Sequence, residues 1–404
     1  MLSNLDIDNI IQPFIDRQEA LEAYVIQTIA NRVKSIGKMT PSDIHKLERL
    51  YVYGSDVQAI NDAIALNTGL QVQDIKRMIK EVSLDVYEEA KPYYDYRRKP
   101  FIPMQKNERL RKTLVGIANN TSNTYKNLSN SKATGFILSD MKHPGKKRFF
   151  NMVETYQRVI DEAIQSVQTG TIDYGSAMRK TLKELNESGV KQITWDTGYV
   201  QDIDAAVKRN ILDGIKQTAQ AVHEETANQF GADGYELTAH PMPAPDHAPF
   251  QGHLFTKEEY EKLQTNKPFK DIEGRQFPAQ KRIIGQWNCR HFAYPIIIGV
   301  SRPKYTTKEL DKWLDENEEG VTLPNGKHVT LYEATQYQNH LALKVRKAKQ
   351  GVMMAKEADD MELARMYQVK VNKYTNEYKY FAKYTGLEFR MDKLTVPGYK
   401  RIAA

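Results

Sequence analysis

Two short stretches hold the residue types that do chemistry. "HPMPAPDHAPFQG" runs from His240 to Gly252, and "GQWNCRHFAYP", from Gly285 to Pro295, contains Cys289, the only cysteine in 404 residues. Zinc takes nitrogen and sulfur ligands in a tetrahedron, and Cys289-x-His291 offers two of them, with His240, His247 or His253 to complete the set. The spacing matches no closed zinc motif, and it supplies a single thiolate. A metal-nuclease arrangement would use Asp246 and His247 with Asn288 and His291, one histidine activating water beside a divalent ion. That arrangement wants its last histidine on a helix, whereas the residues after His291 read as a strand. Cys289 as a nucleophile with His247 or His291 as base is the third chemistry. No glycine loop able to form an oxyanion hole precedes it.

Against these stands a reading without any reaction. Asp246 would cap a turn after Pro245, while His247 and His291 would bond irregular backbone left unpaired by the prolines. Trp287, Phe292 and Tyr294 would fill a small core. Gly252 and Gly285 would take backbone angles that other residues resist. Arg290 would clamp Asp246. This reading is preferred, so no catalytic residue and no cofactor is expected, and His240, His247, Cys289 and His291 stay as the candidates should zinc bind. The alternative function is a metal-dependent enzyme or toxin-like effector using His247, Cys289 and His291.

The elements around these stretches are mostly helical. Leu5, Ile7, Ile10, Ile11, Phe14 and Ile15 mark one apolar face near the start. Thr40-Pro41-Ser42-Asp43 is a helix-start signal, with Ile44, Leu47 and Leu50 following on one face. A further helix is expected from Val72 to Glu89, stopped by Pro92. "KPYYDYRRKPFIP", Lys91 to Pro103, is expected as an extended, packed connector. Helices resume from Asn107 to Asn186, with loops at Asn127–Gly135 and His143–Lys147. Ile203, Val207, Ile211, Ile215 and Val222 predict a helix of about 28 residues that ends at Gly231 with a left-handed cap. Strands are expected at Gly234–His240 and Tyr294–Ser301. Asn325-Gly326 predicts a type I′ hairpin, and long helices from Leu331 to Thr385 should break near Gly351.

The fold class is therefore mainly α with a small α+β or β-rich module. Its expected divisions are an N-terminal helical region (1–105), a helical domain (106–232), a compact module carrying the two stretches (233–304), and a hairpin with a basic helical tail (305–404). The composition is polar, with 40% hydrophobic residues, 27% charged and a net charge of +7. One cysteine excludes an intrachain disulfide and suits a reducing cytoplasm. The start lacks the pattern of a signal peptide, and no apolar run is long enough to span a membrane. From Leu331 to Ala404 there are 14 Lys and Arg against 8 Asp and Glu, a surplus of 6. Such a surplus on a helix can meet nucleic-acid phosphates, and Lys370, Lys373, Tyr374, Lys379 and Lys383 are the residues placed to do so.

The two stretches also carry a resemblance. His240, Pro241, Pro245, His247, Gln251 and Gly252, followed by Gly285, Trp287, Asn288, Cys289, Arg290 and His291, resemble the signature of the phage minor capsid protein family. "DIDAAVKRNIL" in the preceding helix and the text at Lys99–Pro103 fit as well, so the likeness covers roughly Tyr93 to Ser301. The resemblance implies a low-copy virion protein of a tailed phage, made in the bacterial cytoplasm and located inside the head. It is similar to the wider group of head-morphogenesis proteins, which implies the portal, the major capsid or scaffold proteins and packaged double-stranded DNA as partners, with no membrane. A Cys/His-rich motif often ends the domain in that group, and this chain keeps one cysteine. Some members bear a C-terminal toxin or transferase domain, for which the helical tail here is too short.

Overall fold

The computed structural model describes residues 2–40, 43, 49–140, 143–169, 174–194, 196–271, 273–285 and 289–403. Helices dominate, with small antiparallel sheets between them. Residues 1–12, 73–124 and 209–336 form one compact unit, and 13–72, 125–208 and 337–404 form a second.

The early apolar stripe becomes α1 (Asn4–Gly37), with Ile7, Ile11, Phe14 and Ile15 buried. Leu5 is 56% exposed instead, because two residues before Ile7 it points to the opposite side of the helix. The Thr40 box is present: Thr40 N–H donates to Asp43 Oδ2 at 3.0 Å, and Asp43 N–H returns to Thr40 Oγ1 at 3.3 Å. Ile44 and Leu47 lie outside the described residues. The helix expected from Val72 is the last part of α2 (Arg49–Glu88). Lys91–Tyr96, expected to be extended, is a short helix, α3. Pro92 sits in its first turn, where the N–H it lacks has no intrahelical partner anyway. In the first unit Tyr94, Ala227, Phe230 and Ile297 then form one buried cluster, with Tyr93 stacked on Phe230 at 5.0 Å.

After α4 (Glu108–Leu128), the stretch read as helices and loops turns out to hold strands. In the second unit, β1 (Thr134–Ser139), β2 (Lys147–Asn151), β3 (Lys191–Thr194) and β4 (Tyr199–Asp202) pair antiparallel in the order β2-β1-β3-β4. Their register sets Phe136 against Phe150 and Ile193 against Val200. A Cβ on Gly135 would meet Phe150 O at 1.9 Å, so the close β1–β2 approach needs glycine. Two helices, α5 (Met152–Thr169) and α6 (Tyr174–Ser188), separate the strand pairs in sequence.

α7 (Ile203–Phe230) has the expected 28 residues and stops at Gly231, whose φ is +75°. The first unit continues with a three-stranded antiparallel sheet in the order β6-β5-β9: β5 (Gly234–Leu237), β6 (Leu254–Thr256) and β9 (Ala293–Ile296). Between the last two lie α8 (Lys257–Gln264) and a hairpin of β7 (Phe269–Lys270) and β8 (Gln276–Phe277). α8 begins with a reciprocal Thr256/Glu259 capping box. Beyond α9 (Thr307–Glu319) comes the hairpin of β10 (Val321–Thr322) and β11 (His328–Val329). It forms as expected, but not with a type I′ turn. Gly326 alone has positive φ, and its N–H closes the turn on Leu323 O at 2.8 Å. Pro324 at the first central position fixes φ near the value that types I and II share, which type I′ forbids.

The tail consists of α10 (Leu331–Glu357) and α11 (Met361–Thr385). The break expected near Gly351 lies instead at Asp359, with φ +56°, and at Asp360, whose carboxylate accepts Leu363 N–H at 2.9 Å. Gly351 stays helical. A Cβ there would lie 2.5 Å from the Tyr367 ring, so this glycine provides close packing of α10 on α11.

Candidate functional site

The two chemistry-bearing stretches lie at one end of the β6-β5-β9 sheet, within the first unit. Pairing carries on past the strands and fixes their register. Thr238 N–H donates to Phe292 O at 2.8 Å, and Phe292 N–H to Thr238 Oγ1 at 2.9 Å. On the other edge Gly252 N–H donates to Leu237 O at 3.1 Å. These ties bring Gln251 and His291 side by side, 40 residues apart in sequence.

Residues 289 to 291 alternate. Cys289 and His291 face inward, at 3% exposure each, and Arg290 faces away. Arg290 therefore does not clamp Asp246; it pairs with Asp8 at 2.5 Å. Asp246 is held by Arg282, whose Nε and an Nη sit 2.7 and 2.8 Å from its two oxygens. The guanidinium hydrogen bonds keep the Asp246 carboxyl below its ordinary range despite partial burial. Next to it, His247 is buried at 1% exposure, with Nε2 2.9 Å from Arg282 O. A carbonyl only accepts, so His247 Nε2 carries a hydrogen, and in the neutral ring the lone pair is on Nδ1.

The same logic fixes His291. His240 N–H donates to Gln251 Oε1 at 3.1 Å, which shows the amide oxygen facing inward, and His291 Nε2 lies 3.2 Å from that oxygen. His291 Nε2 is thus the donor, and His291 Nδ1 meets Cys289 Sγ at 3.3 Å. The expected bond to backbone is made by His247 and not by His291. His240 stacks on His291 with ring centroids 4.8 Å apart, and burial holds its pKa down to about 4.

The sulfur is the electrostatic centre. It accepts N–H bonds from Gly285 at 3.2 Å and from His291 at 3.3 Å. Burial alone would push the thiol up; bonds with His247 and His291 and the charge of Lys216 outweigh it and hold Cys289 at about 4. Burial disfavours a charge on His247 too, but the sulfur beside it leaves its pKa raised. One donor atom from each of His247, Cys289 and His291 lies within 4.8 Å of the others. His253, another of the sequence candidates, packs against Phe277 with ring centroids 5.6 Å apart.

Irregular backbone around the cluster is stapled by side-chain amides. Gln280 accepts Ile284 N–H at 2.6 Å and donates to Leu263 O at 2.9 Å. The core below contains Phe250, Phe255, Phe269 and Phe277, none of which the sequence expectation named. Phe292 and Tyr294, which it did name, are also buried, whereas Trp287 and Asn288 lie outside the described residues. Gly252 (φ +73°) and Gly285 (φ +90°) take left-handed angles, and a Cβ on Gly252 would also strike Leu310 at 2.5 Å.

Three residues of the cluster escaped the sequence reading: Lys216, Arg282 and Asp8. Only Lys216 left a local signal, a charge between Leu212 and Ala219 on a stripe that is otherwise apolar. Lys216 is buried, and its Nζ makes no hydrogen bond among the described residues.

In the second unit, Lys370, Lys373, Lys379 and Lys383 are all exposed on α11. Tyr374 is half-buried, with Lys344 Nζ 5.8 Å from its ring centroid. The exposed aromatics are instead Tyr380 and Tyr384, at 60% and 43%, stacked on each other at 5.9 Å.

Among the described residues no helix is long and apolar enough to cross a membrane. No curated protein and no solved structure matches the chain. A family does: phage minor capsid protein 2 matches residues 2–383, which takes in most of both units, the His/Cys module and nearly all of α11. The chain belongs to the phage minor capsid protein 2 family and is a structural protein of the phage capsid.

Proposed function

We propose that the protein is a low-copy component of a tailed-phage head that docks on the portal inside the capsid and takes part in head assembly or in DNA packaging and ejection. The family match over residues 2–383 carries this reading. The module around Cys289 supports it physically. Its ion pairs, tautomer-locked histidines and amide staples all serve to hold irregular loops in one conformation, which is what a docking surface requires. Major capsid or scaffold proteins are the other partners of this reading.

The competing idea, a metal-dependent enzyme or toxin-like effector, needs His247, Cys289 and His291 to meet a substrate. At 1%, 3% and 3% exposure they are shielded from one. The proposed role is structural, and no residue is assigned to catalysis.

Gradient-purified mature particles, analysed by quantitative mass spectrometry, should contain the protein in far fewer copies than the major capsid protein. Recovery only from the soluble lysate, with none in particles, would end this reading.

The exposed lysines of α11 support non-specific contact with packaged DNA. Each phosphate contact releases counterions, so replacing Lys370, Lys373, Lys379 and Lys383 by glutamine should lower the salt dependence of duplex binding by about 3 to 4 log units of affinity per log unit of salt. A slope that does not change on substitution would remove these residues from the DNA contact.

A further inference from the structure

We infer that His247, Cys289 and His291 form a binding site for a soft divalent metal ion of the zinc class. This inference goes beyond the proposed role in the head and does not depend on it.

Its first support is the orientation of the donors in the cluster. His247 and His291 have each committed Nε2–H to a carbonyl oxygen, of Arg282 and of Gln251 respectively, which leaves a lone pair on each Nδ1. The sulfur between them already accepts two backbone N–H bonds, from Gly285 and His291. With the neutral rings so oriented, two ring nitrogens and the sulfur make the nitrogen-and-sulfur donor set that a cation of the zinc class takes.

Distance is the second support. Tetrahedral zinc, with bonds of about 2.0–2.1 Å to nitrogen and 2.3 Å to sulfur, sets neighbouring ligands roughly 3.5 Å apart. Cys289 Sγ and His291 Nδ1 are 3.3 Å apart, and one ligand atom from each of the three residues lies within 4.8 Å of the others. Closing the set needs a movement of about 1 Å, within the range of side-chain rotation.

Outer hydrogen bonds are the third. Metal-binding histidines characteristically donate their second ring N–H to a carbonyl or carboxylate, and these partners set both tautomer and ring orientation. Here both partners are in place, and each is itself anchored. Gln251 Oε1 is fixed by His240 N–H, and Arg282 is fixed by its two contacts with Asp246.

Three protein ligands with one position left for water is a composition more typical of catalytic zinc than of closed structural sites. Burial of all three side chains directs the ion to another use, which is to tie residue 247 to residues 289 and 291 across the module.

Cobalt titration of the full chain tests the site. Because Cys289 is the only thiol, any sulfur-to-cobalt charge-transfer band must come from it. We expect the band, with tetrahedral visible bands, to saturate at about one equivalent and to be displaced by zinc. His247→Ala and His291→Ala should each weaken binding by at least roughly 10- to 100-fold. Lys216→Met leaves the donors intact and should bind at least as tightly as the parent chain. No band at stoichiometric cobalt would overturn the inference, as would affinity that ignores both histidine substitutions or falls in Lys216→Met. The unsubstituted chain alone decides the first point, so the test survives a variant that does not fold.

Discussion

Gln251→Leu should destabilise the first unit by about 3 kcal/mol. The leucine is close to glutamine in size and keeps the site filled, so the loss comes from hydrogen bonds and not from a cavity. Gln251 Oε1 receives His240 N–H and the His291 Nε2 hydrogen, and Gln251 and His291 are both buried. Removing the oxygen strands two donors, and each buried donor left unpaired costs about 1–3 kcal/mol. Part of this is recovered, because Gln251 Nε2 is itself buried without a hydrogen-bond partner in the native chain. Urea unfolding followed by tryptophan fluorescence and circular dichroism measures the difference. A change below about 0.5 kcal/mol, the range of an ordinary surface substitution, would show that Gln251 does not brace the module.

Stability should fall as pH rises from about 5 to above 8, and Glu22→Gln should remove the largest single part of that slope. In the second unit Glu22 is buried, and burial pushes its carboxyl up to about 8, with the nearby Asp204 adding to the rise. Val190 N–H, which donates to Glu22 Oε1 at 2.9 Å, and the charge of Lys347 oppose the shift without cancelling it. The unfolded chain ionises this group at about 4.5. Between those values the folded state keeps a proton that the unfolded state has released, so rising pH favours unfolding, by a few kcal/mol in all. Asp204, which burial raises to about 6, and Glu19, which burial raises to about 7, add to the slope in the lower and middle parts of the window. Glutamine keeps the Val190 bond and never ionises. The variant should match the parent near pH 5 and exceed it above pH 8. Parallel melting-temperature profiles for the two chains would refute the assignment.

Much of the fold was legible because its signals are local. α7 could be placed from one apolar stripe and a terminal glycine, since both ends of a helix are marked by residues within a turn. Strands β1 to β4 were not legible, being four to six residues each. A run such as Gly135–Ser139 is too short for its period to separate strand from buried helix. Gly351 misled for another reason. A glycine in a helical pattern signals either a break or a close approach, and only Tyr367, on the following helix, decides which.

The site divides along the same line. Residue types and order named His240, His247, Gln251, Cys289 and His291, and the structure gathers all five. Their partners were not legible. Asp246 meets Arg282 across 36 residues and Arg290 meets Asp8 across 282, distances over which charge alone predicts no pairing. The outward turn of Arg290 follows from the inward turn of its two neighbours, which became visible only with the fold.

The central claim, a head protein docked on the portal, is tested most directly by cross-linking mass spectrometry on intact purified particles. The account predicts lysine cross-links between this chain and the portal protein, at low abundance relative to links among major capsid subunits. Links confined to tail proteins, or a protein that is present but joined to no head component, would contradict it.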